Sequence, residues 1–170
     1  MIPVSLEALA QVPDVDVKLL VAGDGEMRSE WEGYARRLNL ESKIEFLGAV
    51  PWSEMPSLYS RADTLLFTSL RDSFGMQVLE AMGHSLPILT LDHQGVATFV
   101  PSQAAIKIPV TTPREVVAGI AAGILWLARN PEAHQKFGAA GRAFAETQTW
   151  QRHAERISKL YEEVLSAPAT

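Results

Sequence analysis

Residues 64–91, TLLFTSLRDSFGMQVLEAMGHSLPILTL, read as strand, polar loop, helix and strand in one run. Residues 64–68 (TLLFT) are a compact apolar run of strand length, and residues 87–91 (PILTL) are another. Between them, Met76, Leu79 and Met82 recur at helical spacing with Val78 and Ala81 alongside, which predicts a helix over residues 75–84. His84 closes it, where a cation is favoured by the helix dipole. Two short strands joined by a helix form the unit from which parallel sheets are built.

The pattern repeats outward. Residues 17–22 (VKLLVA) form a strand ending at Gly23-Asp24-Gly25, followed by a helix with Trp31, Tyr34, Ala35 and Leu38 on one face. Residues 44–47 form the next strand, closed by Gly48. Ser53 is read as the N-cap of a helix carrying Met55, Leu58, Tyr59 and Ala62. Residues 105–108 are a weaker last strand. Thr112-Pro113-Arg114-Glu115 is a capping box with proline at the first helical position. Behind it Val116, Val117, Ile120, Ile124 and Leu127 form a face. Asn130-Pro131 opens another helix by the same logic, and a final helix carries Ile157, Leu160, Tyr161, Val164 and Leu165. The expected fold is α/β, a mainly parallel sheet covered by helices on both faces, with right-handed crossovers. In such sheets ligands lie beyond the carboxyl ends of the strands. That rule selects the loops at residues 23–25, 48–50, 69–75 and 92–95.

The chain has 170 residues, enough for a single domain over residues 1–170 with one core. It contains no cysteine, so disulfides and thiolate metal sites are excluded. No apolar run approaches the ~20 residues of a membrane span, and residues 1–4 lack the basic and apolar regions of a signal peptide. A cytoplasmic protein is expected, with a peripheral membrane position left open to a full-length form. The net charge of −5 and the lack of a clustered basic face argue against nucleic acid as a partner. The histidines show no metal-ligand spacing, so no metal is expected.

The chemistry concentrates at residues 68–83. A helix N-terminus offers N–H groups and a partial positive charge to phosphate, and Gly75 lets the backbone approach closely. Asp72 lies just before this helix, and Glu80 about two turns into it. They are therefore too far apart to be adjacent partners and suit the two ends of an elongated ligand. Asp72 also has a plain reading as a helix cap, and both roles are compatible. Glu80 alone reads as a solvated helix residue, and its register with Asp72 and Gly75 reverses that preference. Gly23-Asp24-Gly25 is not a dinucleotide fingerprint, because Arg28 stands where the third glycine belongs. Asp92-His93 reads as ordinary loop.

Residues 72–83, DSFGMQVLEAMG, resemble the acidic-x7-Glu motif of retaining glycosyltransferases of the two-domain GT-B type, family 4 or group 1. Residues 19–25 resemble that family's strand and GDG turn, residues 44–48 its next strand, residues 87–89 with Gly95 its following strand and glycine loop, and Trp150 with the last helix its closing helix. The resemblance implies a Rossmann-like C-terminal half of a GT-B fold that binds a nucleoside-diphosphate sugar, UDP- or GDP-linked, as donor substrate with no separate cofactor. It implies that Asp72 contacts the donor sugar at the catalytic centre and that Glu80 holds the ribose. Backbone N–H groups near Phe74, Gly75 and Met76, with Ser73 beside them, would hold phosphate; Gly23 would wall the donor cleft, and backbone near Gly48 and Val50 would contact the base.

Two departures qualify it. The family usually has glutamate where this chain has Asp72. The family's domain also opens with a central strand and a loop whose arginine and lysine clamp the diphosphate, whereas no Arg or Lys precedes Lys18 here. The first strand and the N-terminal acceptor domain are therefore expected to be missing, and the fragment to be inactive alone. The strands flanking the gap are expected either to close up or to be paired by a second chain, which makes self-association an open possibility. A nucleotide-binding or assembly module without catalysis and a sugar-nucleotide epimerase of the same architecture stay open as alternatives.

Overall fold

The computed structural model describes residues 1–73 and 75–166. In chain order the elements are α1 (Ile2–Ala10), β1 (Leu19–Ala22), α2 (Arg28–Arg37), β2 (Ile44–Gly48), a 3-10 turn (Trp52–Glu54), α3 (Met55–Arg61), β3 (Leu65–Phe67), α4 (Met76–Gly83), β4 (Ile88–Asp92), α5 (Gln94–Phe99), β5 (Ala105–Pro109), α6 (Pro113–Arg129), α7 (Pro131–Thr147) and α8 (Trp150–Ser166). The capping box forms as read: the Glu115 N–H donates to Thr112 Oγ1 at 3.3 Å, and the Thr112 N–H donates to Glu115 Oε2 at 3.3 Å. Hydrogen bonds from the Thr111 and Thr112 side chains, and from the Thr112 N–H, hold the Glu115 carboxyl below its ordinary range.

Three local readings are corrected. Ser53 does not cap α3, because residues 52–54 tighten into a 3-10 turn, with the Glu54 N–H on Pro51 O at 2.9 Å, and the helix starts later. Asn130-Pro131 opens α7 as read, with Asn130 at the N-cap, but the Asn130 side chain turns back and donates to Trp126 O at 2.7 Å instead of capping α7. The 92–95 loop is short, since α5 begins at Gln94, whose φ is 51°.

Among the described residues the strands pair in parallel and form two sheets, β1–β2 and β3–β4–β5. The expected closing of the strands flanking the gap does not occur: among the described residues β1 and β3 share no ladder. The Leu19 and Gly23 N–H groups donate toward β2, to Lys43 O and Gly48 O, each at 2.8 Å. Leu65 donates to Pro87 O at 3.1 Å beside β4. Alternate residues of a parallel strand pair on opposite sides, so Leu20 and Leu66 direct their N–H groups to the unjoined edges.

A single apolar cluster holds the two sheets in line. Leu19 and Val21 of β1 and Leu66 of β3 pack on the same core as Leu6 and Leu9 of α1, Leu89 and Leu91 of β4, and Val117 and Ile120 of α6. α1 runs against the strand direction. It begins beside the end of β3, where Ser5 Oγ lies 3.3 Å from Thr68 Oγ1. It ends beside the start of β2, where Lys43 Nζ donates to Val12 O, Pro13 O and Val15 O at 2.9, 2.7 and 2.9 Å. The first helix thus has the direction of a crossover helix between parallel strands.

A second cluster, with Phe67, Val78, Ala81, Met82, Ile88 and Val96, seats α4 between the β3–β4 strands and α7. The helices approach closely at Gly138: a Cβ there would lie 2.2 Å from Ser85 O. The apolar side of α8 stays in water, with Trp150 83% and Leu165 84% exposed. Among the described residues no helix is long and apolar enough to cross a membrane.

Two outcomes follow. Gly138→Ala forces backbone apart and costs about 2–3 kcal/mol of stability in urea denaturation; an unchanged midpoint would contradict the close contact. In hydrogen exchange, the Leu20 and Leu66 amides exchange at least ~10-fold faster than that of Leu89, whose strand is paired on both sides; equal protection would mean the edges are covered.

Candidate functional site

Because every strand is parallel, the loops after β1, β2, β3 and β4 emerge on one side, as the sequence predicts. The first two are tied together. Gly23 (φ 131°) donates its N–H to Gly48 O at 2.8 Å, and Gly48 has φ 73°. Arg28 clasps them from the start of α2. Its Nε donates to Glu32 Oε1 at 2.8 Å, its Nη2 to Phe46 O at 3.2 Å, and its Nη1 lies 3.6 Å from Asp24 Oδ2. The Glu32 bond, and the charges of Asp24 and Glu32 behind it, strengthen the protonated guanidinium. A Cβ at Gly48 would meet Arg28 Nη1 at 2.8 Å, so the clasp needs glycine there. Arg28 had figured in the sequence only as the residue that breaks a glycine pattern. Val50 is half-buried beyond Gly48, and Trp52 next to it is 80% exposed.

The turn into α4 is built on Gly75, which is buried and left-handed at φ 66°, ψ 64°. A side chain there would be strained and would meet Phe67 Cζ at 3.3 Å and Val78 Cγ2 at 3.2 Å. The Gly75 N–H donates to Asp72 Oδ1 at 2.6 Å, and Gln77 Nε2 lies 3.4 Å from Oδ2. The structure therefore brings Asp72 and Gly75 together as a brace, which matches the cap reading of Asp72 and directs one of the expected phosphate donors to a carboxylate. Ser73 is exposed, and Met76, at the first helical position, is 45% exposed. Phe74 lies outside the described residues. Helix geometry leaves the Met76 and Gln77 N–H groups without acceptors inside α4.

Glu80 sits on the Met76 side of α4, about 6 Å farther along its axis. It is half-buried, and Tyr59 Oη donates to its Oε2 at 2.9 Å. Tyr59 closes α3, is 6% exposed and stacks on His84 with ring centroids 5.4 Å apart. Burial first, then the bond to Glu80, holds its phenol well above the ordinary range. The sequence placed Tyr59 only on a helix face; the available signal was that a buried tyrosine hydroxyl needs a partner. On its other side Glu80 borders a shallow depression of about 290 Å³ between α4 and α7, lined also by Met76, Leu79, Arg142 and Thr149. There Arg142 is engaged with Glu146 at 2.7 Å and Gly83 O at 2.8 Å.

The family described as glycosyl transferases group 1 matches residues 2–144. A 2-deoxystreptamine glucosyltransferase of Streptomyces kanamyceticus is 29% identical over 170 aligned residues, covering 90% of this chain and 41% of that protein. A phosphatidyl-myo-inositol mannosyltransferase of Mycobacterium tuberculosis is 28% identical, covering 98% of this chain and 44% of its own length. The solved pneumococcal O-GlcNAc transferase GtfA, in complex with UDP and GlcNAc, superposes with a TM-score of 0.78 at 23% identity, over 98% of this chain and 33% of that one. The chain thus spans less than half the length of these proteins. A family match across most of the chain, on a parallel α/β fold shared with these glycosyltransferases, makes it a member of the glycosyl transferases group 1 family with the architecture of a GT-B C-terminal domain.

Proposed function

We propose that this chain is the donor-binding half of a glycosyltransferase that moves a sugar from a nucleoside-diphosphate sugar to an acceptor with retention of configuration. The observation that carries the reading is the entrance of α4, where left-handed Gly75 is the N-cap and helix geometry leaves the Met76 and Gln77 N–H groups without acceptors inside the helix. On this reading the Met76 and Gln77 N–H groups, and the helix dipole behind them, hold the diphosphate. They also stabilise the negative charge that grows as the diphosphate departs.

Glu80 accepts the ribose hydroxyls, and Asp72 contacts the donor sugar while bracing the loop. Ser73 lines the diphosphate by its backbone, Gly23 walls the donor cleft, and Gly48 and Val50 meet the base. The UDP found with GtfA supports a uridine nucleotide. The acceptor side belongs to the additional length that the relatives carry. Binding without chemistry is the second reading, favoured by the commitment of Asp72 Oδ1 to the Gly75 N–H.

Calorimetric titration with UDP tests the site. The wild-type chain binds saturably, and Glu80→Ala raises Kd about 10-fold or more, the usual worth of a hydrogen bond to a charged group. Equal affinity in the variant would remove Glu80 from the site. With UDP-sugars and simple acceptors, the isolated chain releases no UDP above background; measurable turnover would show that this half suffices.

A further inference from the structure

We propose that Tyr59 is a positioning residue for nucleotide binding, acting through Glu80 by holding its carboxylate in the one orientation that presents Oε1 to a ribose diol. The proposal rests on Glu80 being the ribose contact. A glutamate on a helix surface samples many rotamers, and fixing it when a ligand arrives opposes binding. Here the fixing is already done. The Tyr59 O–H donates to Oε2 at 2.9 Å, which leaves Oε1 as the second acceptor of a carboxylate whose residue borders the α4–α7 depression beside Met76.

The anchor is itself rigid. Tyr59 is 6% exposed, packs in the same cluster as Phe67, Val78 and Met82, and stacks on His84 one turn after Glu80. Burial and the neighbouring carboxylate keep the phenol protonated, so it remains a donor across the working pH range. Nothing in the packing requires the hydroxyl, because half-buried Glu80 can turn its carboxylate to water. A phenylalanine would keep the ring, its burial and the stack while releasing Glu80.

The test titrates wild type, Tyr59→Phe, Glu80→Ala and the double variant with UDP and with 2′,3′-dideoxy-UDP. Tyr59→Phe weakens UDP binding roughly three- to ten-fold, the range expected for freezing one rotamer-rich side chain. It leaves the dideoxy nucleotide unaffected and adds nothing in the Glu80→Ala background. Wild-type affinity for UDP in Tyr59→Phe, or an equal loss for both nucleotides, would overturn the positioning role while leaving the ribose contact standing. If wild type does not bind UDP, or Glu80→Ala binds it unchanged, the ribose reading itself fails and takes this role with it.

Discussion

The left-handed backbone at Gly75 is the constraint on which the site depends. It turns the end of the loop after β3 into α4, and the Asp72 carboxylate holds the turn by accepting the Gly75 N–H. That turn sets the direction of α4, so Val78, Ala81 and Met82 reach the core while Met76 and Glu80 stay at the surface. From behind, α7 presses against the far end of α4 at Gly138, where there is no room for a methyl group. Fixed at both ends, α4 presents its first-turn amides and its carboxylate in a set relation.

The alignment of the strand ends has a different origin. β1–β2 and β3–β4–β5 are not joined by a ladder, so helices and shared apolar packing keep them parallel. α1 spans their length, with Ser5 against Thr68 at one end and three backbone carbonyls on Lys43 at the other. Lys43 therefore has a structural role: its ammonium draws Val12 O, Pro13 O and Val15 O of the α1–β1 connection together beside the start of β2.

The charges around the loops bear on how a diphosphate would be held. Arg28 is committed to Glu32, Asp24 and Phe46 O, and its role is to tie the loops after β1 and β2 to α2. Asp72 and Glu80 bring negative charge. On the proposed reading, oriented backbone N–H groups at α4 attract phosphate alongside the exposed Arg71 of the same loop. Oriented amides act at short range, so affinity would depend on the exact backbone at Gly75.

Much of this was legible in the sequence because the signals are local. Apolar runs of strand length, helical spacing from Met76 to Met82, and the Thr112–Glu115 box each declare themselves within a few residues, as does the need for glycine before α4. Where two local outcomes compete, neighbouring residues were not enough. Ser53 fell inside a 3-10 turn, and the Asn130 side chain turned to the helix behind it instead of capping the one ahead. The tertiary structure alone decided that β1 and β3 remain apart, that Arg28 clasps two loops, and that Tyr59 holds Glu80 from 21 residues away. The reason is physical: periodicity and capping depend on neighbours along the chain, whereas hydrogen-bond partners and strand neighbours depend on which elements the core brings side by side.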